Sequence, residues 1–152
     1  MKPDEPAAYF NLGNALSQSG HKVEAAQRYL EARERFPVGS KHWAMATAIA
    51  FEKLNLEQCA EVAKPDWWND EELKAVSARV VRAAPNDVQA NQMRAVALSG
   101  CVTSWEAGPR SAAELREAAK FFDQATALSD APAQKAGFTS NAAGCRYQAE
   151  AM

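Results

Sequence analysis

The chain has 152 residues, of which 47% are apolar and 24% charged, and its formal net charge is −2. That length suits one compact domain or a short stack of repeats, and the composition lies well away from the disordered class. The near-neutral charge gives no drive toward phosphate backbones, and no apolar run approaches the roughly 20 residues that cross a bilayer, so neither a nucleic-acid partner nor direct membrane insertion is expected.

The apolar share is heavy in Ala and poor in β-branched residues, which favours closely packed helices over sheets. Met1 is followed by Lys-Pro-Asp-Glu-Pro and not by the apolar stretch of a signal peptide, so the expected setting is cytoplasmic or organelle-soluble, with no targeting signal in view. Residues 6–19 open the helical pattern, with Tyr9, Leu12, Gly13 and Leu16 on one face. Gly20 interrupts it, and 22–36 resumes it with Ala25, Ala26, Tyr29, Ala32 and Phe36 before Pro37. Two amphipathic helices around a tight turn predict an antiparallel pair, in which Gly13 lets the neighbouring helix come close. Further helices are predicted over 40–54, 69–84, 86–99, 111–129 and 132–149. Two have good local starts: Asn69 ahead of three acidic residues, and Ser111 with Glu114 as a capping box.

Three prolines, Pro37, Pro85 and Pro132, punctuate these helices 48 and 47 residues apart, which points to an internal repeat. In the first unit Tyr9, Leu12, Gly13, Leu16, Gly20, Ala25, Tyr29, Ala32 and Pro37 resemble the tetratricopeptide repeat in residue type and spacing. Anchored on the later prolines, the bulky opening slot falls on Trp43, Asn91 and Phe138, and the small slot on Thr47, Ala95 and Ala142. Asn91 is a poor match. The stretch 117–125 parallels 24–32 almost slot for slot, whereas 70–84 keeps an apolar face without the family's Ala/aromatic/Ala signature.

The resemblance implies an all-α fold: a right-handed superhelical stack of three antiparallel helix pairs plus a closing C-terminal helix, in a single domain over 1–152. The units are 6–39, 40–85 with an insertion at 55–69, and 86–131 with an insertion at 100–110; the closing helix is 132–149. It also implies a non-catalytic role in holding a peptide or protein, on an inner surface lined by the first helix of each pair. By slot that surface offers Phe10, Asn14, Met45, Gln89 and Met93. One subclass of the family grips the carboxylate end of chaperone tails with Lys, Asn and Arg at these slots, and only Asn14 matches. A mixed apolar and polar contact surface is therefore expected instead. Phe10, Met45 and Met93 either meet a partner there or pack between neighbouring helices.

The insertions carry three large aromatics, Trp67 and Trp68 beside Lys64, Pro65 and Asp66, and Trp105 beside Glu106. They either fold back over the helices or form a second partner-binding edge. The first helix begins with nothing ahead to cover its outer face, which suggests as an alternative a structural subunit within a larger assembly.

Catalytic and cofactor chemistry finds little footing. His21 and His42 stand alone, without a carboxylate or thiol at helical spacing. Cys59, Cys101 and Cys145 form no short-spaced metal or redox motif, and they read as small buried thiols. No phosphate-binding Gly-rich loop or nucleophile elbow occurs. No enzyme, metal or cofactor is expected.

Overall fold

A computed structural model of the chain describes residues 5–101 and 104–152, and among them it contains seven α-helices and no strand. These are α1 (Pro6–Gln18), α2 (Lys22–Arg35), α3 (Lys41–Leu54), α4 (Asp70–Ala83), α5 (Val88–Ser99), α6 (Ala112–Leu128) and α7 (Pro132–Glu150). A 3-10 turn at Glu57–Cys59 lies in the first insertion.

Local chemistry explains most of the boundaries. Pro6 and Pro132 open α1 and α7 in the first turn, where the missing N–H removes no bond. Asn69 accepts from the Glu72 N–H, and Ser111 and Glu114 form the reciprocal capping box. Ser40 and Asp87 cap α3 and α5 in the same way, through the N–H groups of Trp43 and Ala90. At the other end of α5, Gly100 adopts φ +65°, a left-handed conformation that closes the helix.

Each helix packs on its neighbours in the chain, and α3 also packs on α5, so the pairs stack and do not close into a bundle. Small residues line the seams. Ala25, Ala26 and Ala32 of α2, Ala44, Ala46, Ala48 and Ala50 of α3, and Ala118, Ala119 and Ala125 of α6 are all buried. At the first seam a Cβ on Gly13 would lie 2.7 Å from the Tyr29 ring, so that slot requires glycine for the observed approach. Asn91, the poorest match to the repeat, is buried with its amide donating to the Pro85 and Asp87 carbonyls at 3.0 and 2.9 Å. It fastens the turn between α4 and α5. The seventh helix packs along α6 through Phe138, Ala142 and Cys145.

No helix among the described residues is long and apolar enough to cross a membrane.

Candidate functional site

The first-helix positions separate into two kinds. Phe10 and Asn14 lie one turn apart on one face of α1, and both are half-buried. Phe10 meets Tyr29 and Phe36 edge-on, at ring-centre distances of 5.5 and 6.5 Å. The Asn14 side-chain oxygen accepts the Tyr29 hydroxyl at 2.7 Å. Met45 on α3 and Gln89 on α5 are also half-buried. Met93 is not: it is fully buried against Trp43, Ala44 and Ala48. The small residues of α3 let α5 settle closely enough to swallow it, so Met93 presents nothing to a partner. Beside this row, Glu52 Oε2 on α3 and Gln92 Oε1 on α5 are buried acceptors with no hydrogen-bond donor among the described residues. Burial pushes the Tyr29 hydroxyl up to about 12, and the Glu52 carboxylate adds to the shift.

The three insertion tryptophans pack on one another. Trp68 is 5.6 Å from Trp67, 6.0 Å from Trp105 and 5.2 Å from Phe51, measured between ring centres. Trp67 and Trp105 are buried and Trp68 is half-buried. A partner-binding edge built on all three is therefore corrected to an internal cluster that joins the two insertions across the end of α3. The Trp68 indole N–H donates to the Ser104 carbonyl at 3.0 Å, which ties one insertion to the other directly. Arg33 of α2 stacks over Trp67 at 4.8 Å and over Trp43 at 5.5 Å, while Arg79 of α4 approaches Trp43 at 5.4 Å. Arg33 and Arg79 thus both meet the Trp43 ring.

A clamp invisible at the level of motifs fixes the second insertion. The guanidinium of Arg110, a side chain 6% exposed, donates to Asp70 Oδ1 at 2.5 Å and to Oδ2 at 3.0 Å. Its remaining donors reach the carbonyls of Leu98 (2.8 Å), Ala97 (3.0 Å) and Gly108 (2.9 Å). Asp70 also accepts the Trp105 indole N–H at 3.1 Å and the Gly108 N–H at 3.0 Å. Arg110, helped by these donors, holds the Asp70 carboxyl far below the usual carboxylate range against the cost of burial. The clamp bolts the end of α5 and the second insertion to the N-terminus of α4. The sequence carried a faint signal for it: an arginine ends one insertion and an acid-rich helix start ends the other.

Beside the clamp, α4, α5 and α6 enclose an open groove of about 830 Å³. Leu98, Ala75 and Ala113 supply its apolar wall, and Glu71, Glu117, Lys74, Glu114 and Arg94 its charges. Lys74 and Glu114 pair across it at 2.8 Å, and Lys74, with the Ser111 N–H, draws the Glu114 carboxyl down to about 2. Arg94 donates to the Lys74 carbonyl at 2.7 Å and to Ser77 Oγ at 3.1 Å. Its charges are thus largely occupied within the chain.

The lone histidines have local roles: His21 Nδ1 lies 2.9 Å from Ser19 Oγ, and His42 stacks on Phe36 at 5.4 Å. Among the described residues no three His, Cys, Asp or Glu side chains converge in a way that holds a metal ion. No protein-family model matches the chain, and no curated protein matches its sequence.

Proposed function

We propose that this chain is a non-catalytic protein-interaction module of the tetratricopeptide kind, taking a peptide or protein along the row formed by Phe10, Asn14, Met45 and Gln89. The observation that supports this reading is the state of that row. Its members stand half-buried on the first helix of each successive pair, beside acceptors at Glu52 and Gln92 that lack a donor among the described residues. A buried acceptor without a donor costs about 1–3 kcal/mol. A partner's backbone N–H groups would relieve that cost, while Phe10 and Met45 offer apolar contact. An extended peptide supplies both.

Capture by the wild-type chain, compared with a Phe10→Ala/Met45→Ala/Gln89→Ala variant of matched helix content, tests this. A partner retained by the first and lost by the second supports the row. Equal capture by both overturns it.

A second reading, a structural subunit of a larger assembly, draws on the outer helices. Leu12 on α1 is 47% exposed and Tyr147 on α7 is 76% exposed. Apolar side chains at both ends of a helical stack are surfaces that a neighbouring subunit would cover. Concentration-dependent self-association of the isolated chain that Leu12→Lys abolishes favours this reading over a free adaptor.

A further inference from the structure

Cys101 follows Gly100 directly after α5, and Cys145 lies on α7 more than forty residues on. They come together at the wall of one small cavity of about 180 Å³, lined also by Ser99, Asn141, Gly144 and Gln148. Cys101 Sγ is 3.6 Å from the Ser99 carbonyl and 4.0 Å from the side-chain oxygen of Gln148, which sits one turn beyond Cys145 on the same face. Cys101 is exposed, Cys145 is buried, and both are free thiols. From this arrangement we propose that Cys101 and Cys145 form a modifiable dithiol whose substrate is a low-molecular-weight disulfide such as oxidised glutathione.

The chemistry balances in two exchanges. The Cys101 thiolate attacks one sulfur of oxidised glutathione, forming a mixed disulfide and releasing one glutathione thiolate. The Cys145 thiolate then attacks the Cys101 sulfur, closing a Cys101–Cys145 disulfide and releasing the second glutathione. Two protein thiols are oxidised, one small disulfide is reduced to two thiols, and the two protons lost by the cysteines go to the released glutathione. Access sets the order, because only Cys101 is open to a solvent-borne reagent. Burial pushes the Cys145 thiol up, and the neighbouring Cys101 adds to this, so the closing exchange speeds up as pH rises.

Space is present beside Cys145. Gly144 leaves the helix surface beside Cys145 without a side chain, with nothing within 4 Å of where a Cβ would stand. A disulfide needs Cα atoms about 4.4–6.8 Å apart. The adjustment falls on Cys101, which belongs to no helix. Closing the bond would staple the second insertion to α7, and through Arg110 to α4.

Folded protein exposed to oxidised glutathione, quenched by alkylation, digested and analysed by mass spectrometry tests the proposal. The expected product is one Cys101–Cys145 linked peptide pair, with Cys59 alkylated only after unfolding. Cys145→Ala stops at the glutathione adduct on Cys101, and Cys101→Ser leaves Cys145 unmodified in the folded chain. A wild-type chain that also stops at the Cys101 adduct, or that links Cys101 to Cys59 or to a second chain, overturns the proposal.

Discussion

Replacing Asp70 by Asn removes the charge of the clamp while keeping its shape. Arg110, its side chain 6% exposed, then faces an amide where it had a carboxylate, and one of its strongest acceptors becomes a donor. Removing one member of a buried ion pair costs about 3–5 kcal/mol. The 23% exposure of the Asp70 side chain lets water recover part of that, which leaves about 2–4 kcal/mol. Urea unfolding followed by far-UV circular dichroism reads this out: with a slope of about 1–3 kcal/mol per molar, the midpoint should fall by about 1–2 M. The pH dependence supplies a second, independent check. The folded-state pKa of Asp70 is depressed, so its contribution is fully present above the unfolded value of about 3.9 and is lost as pH falls through the folded value. The gap between wild type and Asp70→Asn should therefore hold from neutral pH down to about 4 and narrow below it. Glu114 is depressed too, but it is present in both chains and cancels in the difference. A gap under about 1 kcal/mol at neutral pH, or one that widens in acid, would refute the assignment of Arg110 and Asp70 as the fastening of the second insertion.

Two glycines should respond to Ala with opposite sign. Gly13→Ala drives a Cβ into the buried Tyr29 ring at 2.7 Å and should destabilise by about 1 kcal/mol net of helix propensity, while Gly137→Ala, in open space on α7, should stabilise by about 0.5–1 kcal/mol; thermal unfolding of both decides it. Ser111→Ala removes one half of the capping box and should cost about 1 kcal/mol in chemical denaturation. Alkaline spectrophotometric titration should find one of the three tyrosines, Tyr29, still protonated until close to pH 12, and replacing Asn14 should leave that hydroxyl without its acceptor. Since the folded value of Tyr29 is raised, its contribution to stability is whole below about pH 10 and fades as pH rises through the folded value.

The helices themselves were legible because their signals are local. The prolines, Asn69 and the Ser111–Glu114 box lie within a few residues of the boundaries they set, and all seven predicted segments correspond to observed helices. The caps at Ser40 and Asp87 carry the same kind of signal, since both residue types stand directly before a helix. What local pattern could not supply was depth. Met45 and Met93 occupy matching slots, yet one is half-buried and the other sealed, because the alanines on α3 decide how near α5 can lie. The tryptophans posed the same difficulty: an aromatic in a polar loop looks equally suited to binding or to plugging. Its fate is set by partners such as Phe51 and Ser104, which only the folded chain brings near. The Asp70–Arg110 clamp joins residues forty positions apart and has no periodicity to betray it.

The most direct measurement of the proposed interaction surface is site-specific photocrosslinking. A photoreactive side chain at Met45, half-buried in the proposed row, is compared in the cell with one at Lys120, exposed on α6. Binding along Phe10, Asn14, Met45 and Gln89 predicts a discrete protein adduct from position 45, lost when Phe10 is also replaced by Ala, and none of that mass from position 120. No adduct from position 45, or the same adduct from both positions, would contradict the account.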